Sequence, residues 1–144
     1  MLSKSCEYAI RAAVYVAQNS SESKISLRDL AGALDIPVPF MGKIMQNLVR
    51  QQILSSTKGP NGGFFLSRDQ ENTALIRIIE IVDGLQVFRR CSLGLTMCSD
   101  QRPCPIHEIV KPFRDKFEQQ LRNQTVKQLA QAVASGETFV MNAA

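Results

Sequence analysis

The chain has 144 residues, of which 44% are hydrophobic and 21% charged, values typical of one globular domain or two very small ones. Its net charge of +4 permits a nucleic-acid partner without requiring one. No run of about 18 apolar residues is present, which excludes a membrane-spanning helix and argues against a membrane partner. Charged residues interrupt the apolar N-terminus, so no signal peptide is predicted and a cytoplasmic location with reduced thiols is expected.

Two helices are predicted before residue 35. Ser3 can cap the first, which runs to about Gln18. After a polar connection at residues 19–24, Ser26 can cap the second, with Asp29 placed to form an approximate capping box. The predicted inner faces are Cys6, Ile10, Ala13 and Ala17 in the first helix and Leu27, Leu30, Ala31 and Leu34 in the second.

The sequence between the second helix and a third has the features of a helix-turn-helix. Ala31 is small, as the meeting point of two helices requires, and Asp35 tolerates the left-handed backbone conformation of the turn. Pro37 and Pro39 suit the start of the next helix, where a missing N–H would be unpaired anyway. The second and third helices are therefore predicted to form this motif.

The predicted third helix, about residues 39–51, has two distinct faces. One is apolar and the other carries the side-chain types that read base edges and hold phosphates. The apolar residues are Met41, Ile44, Met45 and Leu48, and the polar ones are Lys43, Gln46, Asn47 and Arg50. An ordinary solvated helix face is the alternative interpretation.

A β-hairpin is predicted next, with strands at residues 53–58 and 64–66 around the turn sequence Gly59–Gly63. A hairpin directly after a helix-turn-helix is a wing. From Phe40 to Arg68 the chain has four basic residues and no acidic one, so this segment would face phosphate. The wing and the uniform charge favour DNA binding over a merely solvated face.

Residues 91–107 contain three of the four cysteines and the only histidine. The spacing is Cys91-x6-Cys98-x5-Cys104-x2-His107, in a segment with a loop composition. A flexible loop can gather three thiols and an imidazole around one point, as a soft metal or iron–sulfur centre requires. Incidental cysteines and a structural Cys3His zinc site are the alternatives, although zinc ligands usually lie two to four residues apart.

Helices are also predicted on both sides of this loop. Thr73 can cap a connecting helix, and Thr125 can cap a final one through Val133. Between them an apolar stripe at helical spacing predicts packing against a partner helix, or alternatively against the chain's own first helix. Pro112 either kinks this helix or begins it. The stripe consists of Ile106, Ile109, Val110, Phe113, Phe117 and Leu121.

An enzyme is not predicted. Outside the cysteine loop there is no activated nucleophile pair, and the glycine-rich turn at Gly59–Gly63 lacks the Lys-Ser/Thr of a phosphate-binding loop. Cys6 is interpreted as a small buried residue of the first helix rather than a ligand.

Three segments resemble the IscR/NsrR-type regulators, the Rrf-two family: Ile25–Pro37, the wing residues Lys58–Phe64, and the three cysteines ending in Cys104–His107. The resemblance covers about residues 2–133. It implies a mostly α fold with a winged helix-turn-helix domain, a small β-hairpin wing and a long C-terminal dimerisation helix. It also implies a homodimeric regulator, a repressor or a dual regulator, that binds a double-stranded DNA operator under the control of an iron–sulfur cluster.

The resemblance assigns cluster ligation to Cys91, Cys98 and Cys104. His107 occupies the place of the fourth ligand in IscR-like members, whereas Glu7 occupies the place where nitric-oxide sensors of the family take an acidic ligand from the partner subunit. His107 is preferred because it lies in the same loop, and because Glu7 could form an ordinary ion pair with Arg11 four residues later. The first cysteine gap is one residue longer than in IscR, so a two-iron or four-iron cluster stays open.

The expected DNA-contacting residues lie on the helix-turn-helix and the wing. Lys43 and Lys58 fall where IscR-like proteins contact their operator. Gly42 replaces an acidic residue with which IscR discriminates between sites, so a different site preference is expected. The full set is Ser26, Val38, Pro39, Phe40, Lys43, Gln46, Asn47, Lys58, Asn61 and Gly62.

Four regions are expected: a winged helix-turn-helix domain at 1–70, a connecting helix and linker at 71–90, a cluster-binding loop at 91–107, and a dimerisation helix with a C-terminal helix at 108–144. The alternative function is a cluster-free winged-helix regulator that senses redox state through its thiols or through a partner protein.

Overall fold

The computed structural model describes residues 1–21 and 23–143. Glu22, in the expected polar connection, and Ala144, at the end of the fourth expected region, lie outside the described residues. The described part is mostly helical with a small antiparallel hairpin, which confirms the predicted fold class. The elements are α1 (Lys4–Asn19), α2 (Leu27–Leu34), α3 (Val38–Arg50), β1 (Ser55–Thr57), β2 (Gly63–Phe65), α4 (Arg68–Glu71), α5 (Leu75–Val82), a 3-10 turn (Leu85–Phe88), α6 (His107–Asn123) and α7 (Val126–Ala134).

Helix α1 lies at the centre of the fold. Ser3 caps it as predicted, accepting a hydrogen bond from the Cys6 backbone N–H at 3.1 Å. Its buried face is wider than the predicted stripe and rich in alanine, so α3, α5 and α7 can all pack against it. Ile10 and Ala17, expected inside, are only half-buried. The buried residues are Cys6, Ala9, Ala12, Ala13, Val14 and Val16.

The helix-turn-helix forms as predicted. Ser26 caps α2 by accepting a hydrogen bond from the Asp29 N–H at 3.1 Å, and Asp35 ends α2 in the left-handed conformation, with φ 54° and ψ 51°. Helix α3 follows at Val38 and buries the predicted apolar face. Local signals therefore determined this part of the fold.

The hairpin is shorter than predicted. Ile53 and Leu54 lie in the core instead of in the first strand, because they are buried beneath α3 before the chain turns out to the wing. The pairing Ser55 with Phe65 sets the register of the wing. A backbone bridge between Ile25 and Phe64, with N···O distances of 3.0 and 2.7 Å, attaches the wing to the residues before α2.

The segment after the wing differs from the prediction in two places. Helix α4 was not expected, although Ser67 and Gln70 form its capping box. Thr73 does not cap α5, whose N-terminal neighbour Ala74 offers no side-chain hydrogen bond. Instead the Thr73 carbonyl accepts the Val126 N–H at 3.0 Å, which ties the start of α5 to the start of α7.

Helix α6 begins at His107 and continues past Pro112, so the interpretation that it begins at the proline is wrong. It packs on α5 and the 3-10 turn, where the rings of Phe88 and Phe117 lie 6.1 Å apart. Helix α7, rather than α6, covers α1. Ile109 and Phe113 consequently point to solvent, with exposed fractions of 74% and 67%.

Of the helices in the described residues, none has both the length and the apolar character needed to cross a membrane.

Candidate nucleic-acid interface and metal centre

The outer surface of α3 combines apolar and polar side chains. At its N-terminus Val38 and Phe40 are exposed, at 44% and 60%. Lys43 and Gln46 are exposed further along, and Asn47 is half-buried. The opposite face is anchored in the core, so the helix can present these groups without moving. Base edges, thymine methyl groups and phosphates are the ligands that such a mixture fits.

A groove of about 610 Å³ separates α3 from the wing. It brings together three of the predicted residues, Ser26, Gln46 and Gly62, although Ser26 already uses its hydroxyl as the α2 cap. The other groove residues include Gly42, Arg50, Ser56 and Thr57.

Glycine at position 63 is a structural requirement of the wing. Gly63 has φ of +147°, and a Cβ there would lie 2.5 Å from the Ile25 carbonyl oxygen. Lys58 and Asn61 stand exposed in the turn beyond it. A close backbone approach at Gly63 thus holds the turn that presents these two side chains.

The cysteine loop places its four candidate ligands in two pairs rather than around one point. The Cys104 side chain hydrogen-bonds Cys91. The Cys98 sulfur lies 3.4 Å from Nδ1 of His107. Within the described residues no three His, Cys, Asp or Glu side chains are grouped closely enough to hold a metal ion. The four candidate ligands do not converge on one point in this conformation, and their assignment as cluster ligands stays a prediction.

Backbone amides hydrogen-bond the side chain of Cys91. The N–H groups of Leu93 and Leu95 hydrogen-bond its sulfur and lower the pKa of the thiol below its ordinary value. The side chain is nevertheless only 8% exposed. A lowered pKa favours the thiolate form, which is the donor that metal and iron–sulfur centres use.

The imidazole ring of His107 is oriented by the carboxylate of Asp100. Its Nε2 lies 2.8 Å from Oδ1 of Asp100, and this hydrogen bond lowers the pKa of the Asp100 carboxyl. In the neutral ring, Nε2–H then donates to Asp100, which leaves Nδ1 as the acceptor that faces Cys98. A carboxylate behind a histidine is the usual support for a metal-ligating imidazole.

The donor set fits an iron–sulfur cluster in its chemistry. Three thiols and one imidazole are available, the pKa of one thiol is lowered by hydrogen bonds from backbone amides, and the imidazole is oriented by Asp100. A further observation agrees with an anionic occupant. The Nε of Arg114, which hydrogen-bonds Cys98 through another nitrogen, is buried without a hydrogen-bond partner.

Sequence reasoning missed the polar residues of α6 that surround the loop. Arg114 donates to the Cys98 sulfur at 3.1 Å and to the Arg90 carbonyl at 2.5 Å. Glu118 accepts from Arg89 at 2.7 Å, and this contact lowers the pKa of its carboxyl. The Arg89-Arg90 doublet immediately before Cys91 was a signal that could have indicated such partners.

Glu7, the alternative ligand, is exposed on α1 and forms no ion pair with Arg11 in the described residues. It pairs instead with Lys4, at 3.3 Å. Arg11 donates to the carbonyls of Val140 and Leu34, at 2.8 and 2.9 Å. The expected Glu7–Arg11 ion pair is therefore wrong, because Arg11 fastens the C-terminal tail and the end of α2 to α1.

Cys6 is confirmed as a buried residue with no exposed surface. Burial and the negative charge of Asp83 raise the pKa of its thiol to about 12, so it is a neutral, unreactive group.

Comparisons with known proteins agree with this geometry. The model of the Rrf2 family, described as an iron-dependent transcriptional regulator, matches residues 2–132. The chain belongs to the Rrf2 family. Members of this family are transcriptional regulators and not enzymes, which confirms that prediction.

Rrf2 relatives match along most of the chain. A putative HTH-type transcriptional regulator of Aquifex aeolicus is 28% identical over 131 residues, which cover 90% of each chain. The HTH-type transcriptional regulator IscR of Escherichia coli is 28% identical over 122 residues, covering 85% of this chain and 75% of IscR.

Solved structures show the same fold. CymR, the global cysteine regulator of B. subtilis, superposes with a TM-score of 0.73 at 18% identity, covering 91% of this chain and 96% of CymR. T. potens IscR also has a TM-score of 0.73, at 16% identity, covering 96% of this chain and 92% of IscR. This Rrf2 protein is accordingly a DNA-binding transcriptional regulator with a winged-helix fold.

Proposed function

We propose that this protein is a homodimeric repressor whose operator binding is controlled by an iron–sulfur cluster held by Cys91, Cys98 and Cys104. The observation that carries the proposal is the placement of the three thiols and His107 beside the N-terminus of α6, in two adjacent pairs. When bound, a cluster supplies a centre whose redox state or loss changes with the cell's chemistry. The chain's own residues would convert that change into a rearrangement of the 91–107 loop.

The surface of α6 supports the homodimer. Ile109 and Phe113 are large apolar side chains, four residues apart on one face, and both are mostly exposed. The helix is the longest described, at 17 residues. A second copy of α6 would remove this apolar stripe from water and bring two cluster loops to one interface.

His107 is the proposed fourth ligand, ahead of Glu7 from the partner subunit. The ring is 3% exposed and already faces Cys98. Glu7 is exposed and held only by an ion pair with Lys4, so its use would depend wholly on the partner.

The operator contacts are proposed for the exposed end of α3 and for the wing. Lys43 and Gln46 would read bases, Val38, Pro39 and Phe40 would contact apolar base edges, and Lys58 would neutralise phosphate. Ser26 and Gly62 line the groove between α3 and the wing, and Asn47 and Asn61 complete the proposed surface.

Anaerobic purification tests the cluster. Wild-type protein should be brown with visible absorbance, and Cys98→Ala should lose most of its iron and sulfide, because soft thiolates hold such centres. Cys6→Ala is the matched control and should keep the cluster. Full cluster occupancy in Cys98→Ala would contradict the ligand assignment, and a colourless, zinc-containing wild type would contradict the cluster itself.

The fourth ligand is tested by comparing His107→Ala with Glu7→Gln under the same anaerobic conditions. Absorbance and electron paramagnetic resonance of the reduced cluster should change in His107→Ala and stay unchanged in Glu7→Gln. The reverse result would assign the ligand to the partner's first helix.

A cluster-free thiol sensor is the second candidate, and one observation favours it. The hydrogen-bonded Cys91 and Cys104 side chains could form a disulfide directly, losing two electrons and two protons to a hydroperoxide that becomes alcohol and water. If this candidate is correct, colourless protein treated with hydroperoxide should lose two free thiols and change its operator affinity.

A further inference from the structure

Three buried polar side chains follow one face of α6. His107, Arg114 and Glu118 are 3%, 7% and 8% exposed, and they are the buried polar or charged residues of the described chain. Their spacing of seven and four residues places them on the same side of the helix. All three contact residues 89–100, so this face of α6 is in contact with the cysteine loop and the two arginines before it.

Arg114 lies at the centre of this face and bridges two parts of the loop. One terminal nitrogen donates to the carbonyl of Arg90, the residue before Cys91, at 2.5 Å. The other donates to the Cys98 sulfur at 3.1 Å. A planar guanidinium can make both contacts at once with fixed geometry, whereas a lysine cannot.

The remaining nitrogen of Arg114 has no partner. Its Nε is buried without a hydrogen bond, and no ion pair in the described residues includes Arg114. A buried guanidinium with incomplete partners is costly unless negative charge lies close by. The Arg90 carbonyl and the Cys98 sulfur are the two acceptors that offset part of this cost.

We propose that Arg114 is a positioning residue that holds Cys98 beside the backbone preceding Cys91 and couples both cysteines to helix α6. The inference rests on the proposed cluster function and adds the residue that links the cluster loop to the helix bearing Ile109 and Phe113. A charged N–H donor to a ligand sulfur withdraws electron density from it. Arg114 would therefore also raise the reduction potential of a cluster bound there.

Two measurements test this inference on the full-length protein. In metal-free protein, hydrogen exchange of residues 89–98 reports the loop, because the amides of Arg90 and Gly94 are hydrogen-bonded. In Arg114→Ala these amides should exchange about tenfold faster, as expected for the loss of the two contacts. In cluster-loaded protein the reduction potential should become more negative.

Two further variants make the result specific. Arg114→Lys keeps the charge but cannot bridge both acceptors, so exchange should increase while the potential moves less than in Arg114→Ala. Lys111→Gln removes a positive charge one turn earlier, from a side chain paired with Asp115 at 2.9 Å, and should behave like wild type. If Arg114→Ala does not fold, hydrogen exchange and the reduction potential are both measured on Arg114→Lys.

The outcomes separate this inference from the proposed function. Wild-type exchange rates at residues 89–98 in both Arg114 variants would overturn the role of Arg114, whether or not iron is bound. An equal change in Lys111→Gln would also overturn it, because general electrostatics would then explain the effect. A wild type that binds no iron would reject the cluster function, while faster exchange in Arg114→Ala would still support positioning of Cys98.

Discussion

Residues 25–65 and residues 89–107 are stabilised by different kinds of contact. The winged helix-turn-helix rests on buried apolar side chains and regular backbone pairing, with Leu48 and Met45 at 0% exposure. The cysteine loop has no helix or strand, exposes Leu93, Leu95 and Met97, and is tied to α6 by polar side chains. Apolar burial adapts little to chemical signals, whereas contacts made by thiols, imidazole and carboxylate change with redox state, metal and pH. The winged helix-turn-helix therefore depends on contacts that redox state and pH alter little, whereas the loop depends on contacts that both can alter.

The largest effect on stability should come from a substitution in the apolar face that anchors α3. Leu48→Ala removes a fully buried side chain from α3 and should lower the free energy of unfolding by about 2–5 kcal/mol. DNA binding should weaken, because α3 presents the proposed operator contacts from this anchored face. Denaturant unfolding measures the change, and Val38→Ala on the exposed surface of α3 should cost less than about 0.5 kcal/mol. Equal losses in the two variants would mean that α3 is not anchored by its apolar face.

A smaller effect is expected at the surface that α3 presents. Lys43→Ala should reduce discrimination at one base pair by about 1–3 kcal/mol, because a lost base contact affects one position. Competition binding with single-base variants of a selected operator measures it. Lys127→Ala, an exposed lysine on α7, is the matched control and should preserve both affinity and discrimination.

The wing should behave differently from α3. Lys58→Ala should weaken binding to all sequences similarly and lower the slope of log affinity against log salt by roughly one unit, because one phosphate contact is lost. Titrations at several salt concentrations measure the slope. An unchanged slope combined with altered base preference would make Lys58 a base-reading residue instead.

The smallest effect concerns how the stability contributed by Glu118, which ties α6 to Arg89, depends on pH. The hydrogen bond from Arg89 lowers the pKa of Glu118 in the folded protein below its ordinary value of 4.5, and Arg122 contributes further. A lowered folded pKa means that the contribution is fully present above about pH 4.5 and is lost as pH falls through the folded value. The stability difference between wild type and Glu118→Gln should therefore shrink as pH is lowered from 7 to 3. A difference that stays constant over this range would show that the charge of Glu118 contributes nothing.

Local sequence signals were sufficient for the DNA-binding half. Ser3, Ser26 and Asp35 act as caps and turn residue as predicted, because capping depends on a few neighbouring atoms. The apolar face of α3 was equally clear from its period. The predicted strand bounds were less accurate. Whether Ile53 and Leu54 enter the core or the wing depends on how α3 packs over them.

The contacts within the cysteine loop also depend on tertiary surroundings that the sequence does not show. Its composition and spacing identified the candidate ligands Cys91, Cys98, Cys104 and His107, but spacing carries no information on which thiols meet. The structure pairs Cys98 with His107, and Cys91 with Cys104, and it adds a contact from Arg114 of α6 to Cys98, a residue outside the loop that spacing could not indicate.

The sequence by itself determined the helical periods, the caps and the turn residues, which depend on near neighbours in the chain. It also determined the set of soft donors, which depends on composition alone. Only the tertiary structure decided which face of α6 is buried. The apolar stripe predicted packing against a partner helix or against the chain's first helix. In the folded chain Ile109 and Phe113 are exposed, while Arg114 and Glu118 are buried. The physical reason is that α7 already covers α1, so α6 packs on α5 and the 3-10 turn with its polar side toward the two arginines and the thiols. Leu121 and Phe117 of the stripe enter this packing, whereas Ile109 and Phe113 stay outside it.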